Sequence, residues 1–158
     1  MISYIKRLFE DTTRENRQNA DSQETLIACL ALLIEVSKSD HDIDPQEIQQ
    51  IVTLAGSHFN VAKEQQSQLL KLAKSLSKQA TSLYEYTSLV NEQYSDDEKY
   101  SLILAMWKVA FADGRIDRYE EHLIRRVADL IYIPHIQFIQ AKHDALEARQ
   151  RLTPRDST

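Results

Sequence analysis

The stretch Leu26-Ile-Ala-Cys-Leu-Ala-Leu-Leu-Ile34 is the longest unbroken apolar run in this chain of 158 residues. It is too short to cross a bilayer, which takes about 18 or more apolar residues, and it therefore predicts a buried helix. The chain contains only two glycines and three prolines. Because these are the main turn-forming residues, their scarcity favours long helices joined by short loops. We expect an all-α domain with this helix at its centre.

Helical spacing of apolar residues continues on both sides of this run, and no segment shows the period-2 alternation of a strand. Helix-start signals occur at Asp21, Asp44-Pro45, Ser95, Asp117 and Pro134. The first signal predicts a helix from Asp21 to about Lys38. We predict a helical domain over residues 21–151, preceded by a short helix and a polar connector over 1–20 and followed by a disordered tail over 152–158.

The sequence also contains an internal repeat. Residues 109–128 align with residues 36–55 without a gap when 73 is subtracted. Seven of the twenty pairs are identical: Val36/Val109, Asp40/Asp113, Ile43/Ile116, Asp44/Asp117, Glu47/Glu120, Ile51/Ile124 and Ala55/Ala128. Such a repeat predicts two related halves, each made of an apolar helix, an acidic loop and an amphipathic helix. We expect the two apolar helices to lie side by side in a bundle.

The two acidic loops read Asp40-His-Asp-Ile-Asp-Pro-Gln-Glu47 and Asp113-Gly-Arg-Ile-Asp-Arg-Tyr-Glu120. Four of their carboxylates stand where helix caps form: Asp44, Glu47, Asp117 and Glu120. Capping and the positive end of the helix dipole account for these four without any ligand. Capping does not exclude a second role for them.

Asp40 and Asp113 are harder to explain by capping, because each follows a helix and lies near its negative end. A lysine, an arginine or a bound metal is expected to offset such a carboxylate. The second loop offers Arg115 and Arg118, whereas the first loop contains no lysine or arginine. Clustered carboxylate oxygens favour Ca²⁺ or Mg²⁺, whereas a nitrogen ligand from His41 would favour Zn²⁺ or Mn²⁺. The candidate metal ligands are Asp40, Asp44, Glu47, Asp113, Asp117 and Glu120.

The segment Phe111-Ala-Asp-Gly-Arg-Ile-Asp-Arg-Tyr-Glu120, repeated in part 73 residues earlier, resembles the TerB-like family of tellurite-resistance domains. The resemblance covers about residues 22–150. It implies a bundle of about seven helices with two pseudo-symmetric halves, a bacterial cytoplasmic setting and an acidic metal site. The family's acidic positions correspond to Asp113, Asp117 and Glu120, and through the repeat to Asp40, Asp44 and Glu47. One departure is His41, which stands where the second loop has Gly114.

Composition argues against several other functions. A net charge of −5 lacks the positive field that nucleic-acid binding needs. Two isolated glycines cannot form a phosphate-binding loop, and a single cysteine excludes an internal disulfide framework. None of the five histidines follows a glutamate by three residues, as a carboxylate-bridged di-metal centre requires. Cys29 lies inside the apolar run and is expected to be a buried hydrophobe rather than a nucleophile. Because the sequence offers none of these catalytic arrangements, we predict a protein that is not an enzyme.

Two functions stay open at this stage. The first is a module that binds a divalent cation through the duplicated loops and acts with a protein partner in a bacterial stress response. The second is a structural protein-interaction module whose acidic residues only cap helices. We expect no nucleic-acid partner and no membrane span. The mildly amphipathic residues 1–11 are expected to pack as a helix, with contact to a membrane surface or a partner as the alternative.

Two charged features have simple structural interpretations. Glu35 and Lys108 are equivalent under the repeat, and each is expected to mark the solvent-facing edge of its helix, with a mutual contact as the competing hypothesis. Arg149 and Arg151 belong to a basic spot near the C-terminus that we interpret as a solvated helix face.

Overall fold

The computed structural model describes residues 17–38, 45–58, 60–78, 82–112, 116 and 118–152. In this part of the chain it contains seven helices and no strand: α1 (Arg17–Ser37), α2 (Pro45–His58), α3 (Lys63–Ser77), α4 (Leu83–Gln93), α5 (Asp96–Phe111), α6 (Arg118–Leu130) and α7 (His135–Leu152). The prediction of an all-α bundle of about seven helices is confirmed. The helix expected near the N-terminus lies outside the described residues. Leu152, expected in the tail, is instead the last residue of α7.

The centre of the bundle is formed by α1 and α5, which pack against each other. Every residue from Ile27 to Ile34 is buried, because α1 also packs against α2, α3, α4 and α6. In α5, Leu102, Ile103 and Met106 are fully buried. Burial of side chains of this size stabilises the fold by roughly 1.5–3 kcal/mol each. None of the helices described is both long enough and apolar enough to cross a membrane.

Most helices begin where the sequence predicts. Ser95 precedes α5 in a complete capping box: the Glu98 backbone N–H donates to Ser95 Oγ over 3.2 Å, and the Ser95 backbone N–H donates to Glu98 Oε1 over 3.0 Å. Pro45 is the first residue of α2, where its lack of an N–H leaves no helical hydrogen bond unmade. Pro134 directly precedes α7, and its carbonyl accepts from the Gln137 and Phe138 backbone.

The predicted start of α1 is wrong. The structure begins this helix at Arg17, inside the predicted connector, so Asp21 lies within the helix rather than capping it. The four residues that precede Asp21, Arg17-Gln-Asn-Ala20, include no glycine or proline, and three of them have good helix propensity. A helix already nucleated by its apolar portion extends upstream through such residues because each added residue gains a backbone hydrogen bond.

Two helices end in a tight turn that reverses the chain. After α6, the Ile133 N–H donates to the Ala128 carbonyl over 2.8 Å and the Tyr132 N–H donates to the Asp129 carbonyl over 3.2 Å. This pair of bonds is a Schellman motif, and it places Tyr132 in the left-handed region with φ of 62°. After α2, the Val61 N–H bonds to the Gly56 carbonyl, and Asn60 takes the left-handed position with φ of 56°.

Candidate functional site

A cavity of about 710 Å³ opens between the helices that the repeat pairs. Its walls come from the ends of α1 and α5, one face of α2, the first turn of α6 and the last turns of α7. The lining residues are Val36, Ser37, Glu47, Gln50, Ile51, Leu54, Ser57, Lys108, Val109, Ala110, Phe111, Ala112, Glu120, Ala145, Ala148 and Arg149. Its volume falls in the range of small-molecule sites, and its walls are mostly apolar with a few charged groups, which is typical of such sites.

Two of the six predicted metal ligands, Glu47 and Glu120, line this cavity. Glu47 lies in the first turn of α2 and Glu120 lies in the first turn of α6, so the two repeat positions approach one space from opposite halves of the sequence. Glu120 is only 8% exposed and Glu47 is half-buried. The positive end of each helix dipole favours an ionised carboxylate at these positions. Each of the two also interacts with another group of the protein.

The other four predicted ligands, Asp40, Asp44, Asp113 and Asp117, lie outside the described residues, as does His41. Ile116 is described, and it packs against the core from within the second loop. Among described side chains, no group of three or more histidine, cysteine, aspartate or glutamate residues converges as a metal site would require. The structure therefore places Glu47 and Glu120 in the lining of one cavity, and the predicted donor set stays a prediction.

The cavity lining also includes two cationic side chains, Arg149 and Lys108, that the sequence did not predict there. Arg149 does not belong to a purely solvated face, because its Nη1 donates a hydrogen bond of 2.6 Å to the Phe111 carbonyl oxygen. It thereby binds the last residue of α5, immediately before the second acidic loop. The side chain is nevertheless exposed, as the predicted solvated face requires, so the contact with Phe111 is an addition to that prediction. Nothing in the local sequence signals a contact between residues 38 positions apart.

Lys108 is the second cation in the lining, and it is half-buried. The hypothesis that it contacts Glu35 is wrong, because Glu35 Oε1 lies 3.5 Å from Lys38 Nζ in an ion pair along the end of α1. Within the described part of the chain, no acceptor or carboxylate lies within hydrogen-bond or ion-pair distance of the Lys108 ammonium.

An aromatic stack connects the cavity wall to the core. The ring of Phe111, which lines the cavity, stacks on the ring of Trp107 with centroids 5.8 Å apart. Trp107 is fully buried and also packs on Phe138, with centroids 5.2 Å apart. Both Trp107 and Phe111 belong to the buried core. Trp107 is the single tryptophan of the chain, so its fluorescence reports on one wall of the cavity.

Cys29 lies away from this cavity and is fully buried in α1, as predicted. Its thiol lies 3.4 Å from the Tyr94 hydroxyl. Burial raises the pKa of the Cys29 thiol to about 12. It also raises the pKa of Tyr94. A thiol held in its neutral form is a poor nucleophile and a poor metal ligand, which fits a packing role.

Comparison with known proteins identifies one family. The model of the tellurite resistance protein TerB family matches residues 26–143, more than half of the chain. The match begins inside α1, ends inside α7 and includes both acidic loops. Searches of curated proteins and of solved structures found no match.

Proposed function

The chain belongs to the TerB family, and from this membership and the cavity we propose that it binds a divalent cation through its two acidic loops. We propose further that it acts without catalysis, as a component of a bacterial stress response of the tellurite-resistance kind. The family is a non-catalytic kind of helical domain. The expected cytoplasmic location and the protein partner belong to the same proposal.

The observation that carries the proposal is the convergence of Glu47 and Glu120 on one cavity. They are 73 residues apart, lie on different helices and occupy the same position of the repeat. Two carboxylates that face a common space repel each other, and a divalent cation removes that repulsion. Helix capping alone does not require two caps to share a cavity.

The donor chemistry favours a hard cation. Glu47 and Glu120 offer only oxygen, which suits Ca²⁺ and Mg²⁺. Since Ca²⁺ takes six to eight ligands and Mg²⁺ takes six, the two glutamates need further donors. We propose that Asp40, Asp44, Asp113 and Asp117 supply them, with water at the remaining positions. Zn²⁺ or Mn²⁺ becomes the better fit if His41 takes part.

The proposal is tested by thermal unfolding of metal-stripped protein titrated with Ca²⁺, Mg²⁺, Mn²⁺ and Zn²⁺. A cation that binds only the folded state, at about a hundred times its dissociation constant, stabilises it by roughly 2.7 kcal/mol, or several degrees for a domain of this size. Two double variants, Glu47→Gln/Glu120→Gln and Asp40→Asn/Asp113→Asn, should lose this shift.

A matched control variant distinguishes the loss of the proposed metal ligands from the general effect of removing two negative charges. Glu64 is exposed in the first turn of α3, and Glu121 follows Glu120 but pairs with Lys142 at 3.3 Å. The variant Glu64→Gln/Glu121→Gln removes the same charge away from the proposed donors and should keep the cation-dependent shift. If no cation stabilises the wild type, the acidic residues act as helix caps, and the protein is a structural interaction module.

A further inference from the structure

The cavity walls offer apolar surface to the hydrocarbon part of a ligand. Leu54 from α2 and Val109 and Phe111 from α5 keep some exposed hydrocarbon in the lining, and the almost fully buried Val36 and Ile51 lie behind it. A cavity of about 710 Å³ is larger than a cation and its water ligands require. Apolar surface left in contact with water is unfavourable, at roughly 25 cal/mol per Å², so covering it contributes to the binding of any ligand with a hydrocarbon portion.

The charges of the lining select the polar end of such a ligand. Glu47, Glu120 and Arg149 each already interact with another group of the protein, and Arg149 donates to the Phe111 carbonyl. Lys108 is different, because its half-buried ammonium has no partner among the residues that the structure describes. A partly buried ammonium with no acceptor in direct contact gains a charged hydrogen bond from a ligand anion.

We propose that this cavity binds an amphipathic organic monoanion, with its anionic group on Lys108 and its hydrocarbon portion against the walls of α2 and α5. A carboxylate on an unbranched alkyl chain is the simplest member of this class. One negative charge is favoured over two, because Lys108 pairs with one anionic group, whereas a second group would meet the repulsion of Glu47 and Glu120 without such a contact. Binding of this anion does not require the proposed divalent cation, and a chelator keeps metal ions out of the test.

The test compares ligands that share one hydrocarbon chain and differ in charge. Decanoate, decanol, decylammonium and the dianion sebacate are titrated into the full chain in the presence of a chelator. Binding is measured by calorimetry and by the emission of Trp107, whose ring lies 5.8 Å from that of Phe111 in the cavity wall. Decanoate is expected to bind about tenfold more tightly than decanol, since a hydrogen bond to a charged group is worth about that factor. Sebacate and decylammonium are expected to bind more weakly than decanoate.

Three variants locate the contacts. Lys108→Gln keeps the length of the side chain and should remove the preference for decanoate over decanol. Lys99→Gln removes a lysine of the same helix that lies over the Tyr132 ring, outside the cavity lining, and should keep the preference. Ala148→Phe fills the cavity and should weaken both ligands, and circular dichroism establishes whether this variant keeps its helices.

Three results would overturn the inference: no binding of decanoate to the wild type, equal binding of decanoate and decanol, or an unchanged preference in Lys108→Gln. Because the titrations contain a chelator, these results leave the proposed cation site untouched. Conversely, a wild type that no cation stabilises can still bind decanoate, so the two proposals fail separately.

Discussion

Arg149 on the last helix holds the end of the central helix α5, with its Nη1 2.6 Å from the Phe111 carbonyl oxygen. The carbonyls at a helix C-terminus have no partner within the helix, and a side-chain donor that reaches one of them also offsets the negative end of the dipole. The second acidic loop begins two residues after Phe111. One contact therefore connects α7 to the end of α5, two residues before that loop in the sequence.

We predict that Arg149→Ala lowers the free energy of unfolding by about 1 kcal/mol, because the Phe111 carbonyl loses a charged donor and keeps only water. Denaturant unfolding measures the change, and amide hydrogen exchange in the last turn of α5 should become faster. Arg151 provides the control. It lies in the same turn of α7, is 81% exposed and pairs only loosely with Glu147 at 3.7 Å. Arg151→Ala should change stability by a few tenths of a kcal/mol at most. Equal losses in the two variants would contradict the role given to Arg149.

The turn after α6 stores strain that a substitution can release. Tyr132 occupies the left-handed position of the Schellman motif, where a side chain costs roughly 1–2 kcal/mol and glycine costs nothing. Its ring is 79% exposed, so little packing is lost when it is removed. We predict that Tyr132→Gly raises the free energy of unfolding by about 0.5–1 kcal/mol, the strain relief being partly offset by the flexibility of glycine in the unfolded chain.

Tyr132→Ala separates strain from the loss of the ring. Alanine keeps the left-handed penalty and loses the contact with Lys99, whose Nζ lies 5.9 Å from the ring centroid. This variant should be no more stable than the wild type. Asn60→Gly, at the equivalent position after α2, should gain less than Tyr132→Gly, because asparagine tolerates the left-handed region. Thermal unfolding of the three variants tests this order.

Gly56 lies inside α2, where no turn requires a glycine. Its substitution therefore compares the gain in helix propensity with the cost of a tighter contact. A Cβ at this position would lie 2.8 Å from Gln66 Nε2, the end of a flexible side chain on α3. Alanine gains up to about 1 kcal/mol of propensity over glycine, and the Gln66 amide can move away at small cost. We predict that Gly56→Ala raises the free energy of unfolding by about 0.5 kcal/mol. If the close contact with the Gln66 amide reduces this gain, the double variant Gly56→Ala/Gln66→Ala should be more stable than Gly56→Ala alone. A double variant less stable than the wild type would contradict this account.

The predictable part of the fold rests on signals that act over a few residues. The Ser95 capping box, Pro45 and Pro134 mark helix starts through local hydrogen bonding and a fixed φ, so they need no tertiary information. The all-round apolar run ending at Ile34 predicts the central helix for the same reason. The start of α1 was mispredicted because an upstream extension requires only residues that tolerate a helix, and such residues carry no marker.

The site was predictable only in part. The repeat pairs Glu47 with Glu120, and the structure brings both to one cavity. Lys108 and Arg149 line the same cavity because α5 packs against α7. Neither the spacing nor the composition of the sequence predicts that packing. The left-handed Tyr132 was equally unpredictable, because the residue type is the opposite of what the position favours.

Stability should fall at alkaline pH, and Cys29 provides the first contribution. Burial raises its pKa from 9.0 to about 12 in the folded protein, while the unfolded thiol titrates near its ordinary value. Below about pH 9 the thiol is neutral in both states and has no effect. Above it, unfolding releases a proton, and the free energy of unfolding falls by up to about 1.4 kcal/mol per pH unit until the folded thiol also ionises. Half-buried Tyr94, whose pKa is raised as well, adds to the loss once the unfolded phenol ionises.

Cys29→Ala isolates this contribution. The variant is expected to be less stable than the wild type near neutral pH, because it loses a buried sulfur and the 3.4 Å contact with the Tyr94 hydroxyl. Above about pH 9 its stability should fall less steeply, so the two curves of unfolding free energy against pH converge. Denaturant unfolding at several pH values measures both curves. Parallel curves would show that the thiol does not titrate differently in the two states. A second measurement is the reaction of the thiol with a disulfide reagent, which should be slow in the folded protein and fast in denaturant, because the buried thiol stays protonated and inaccessible.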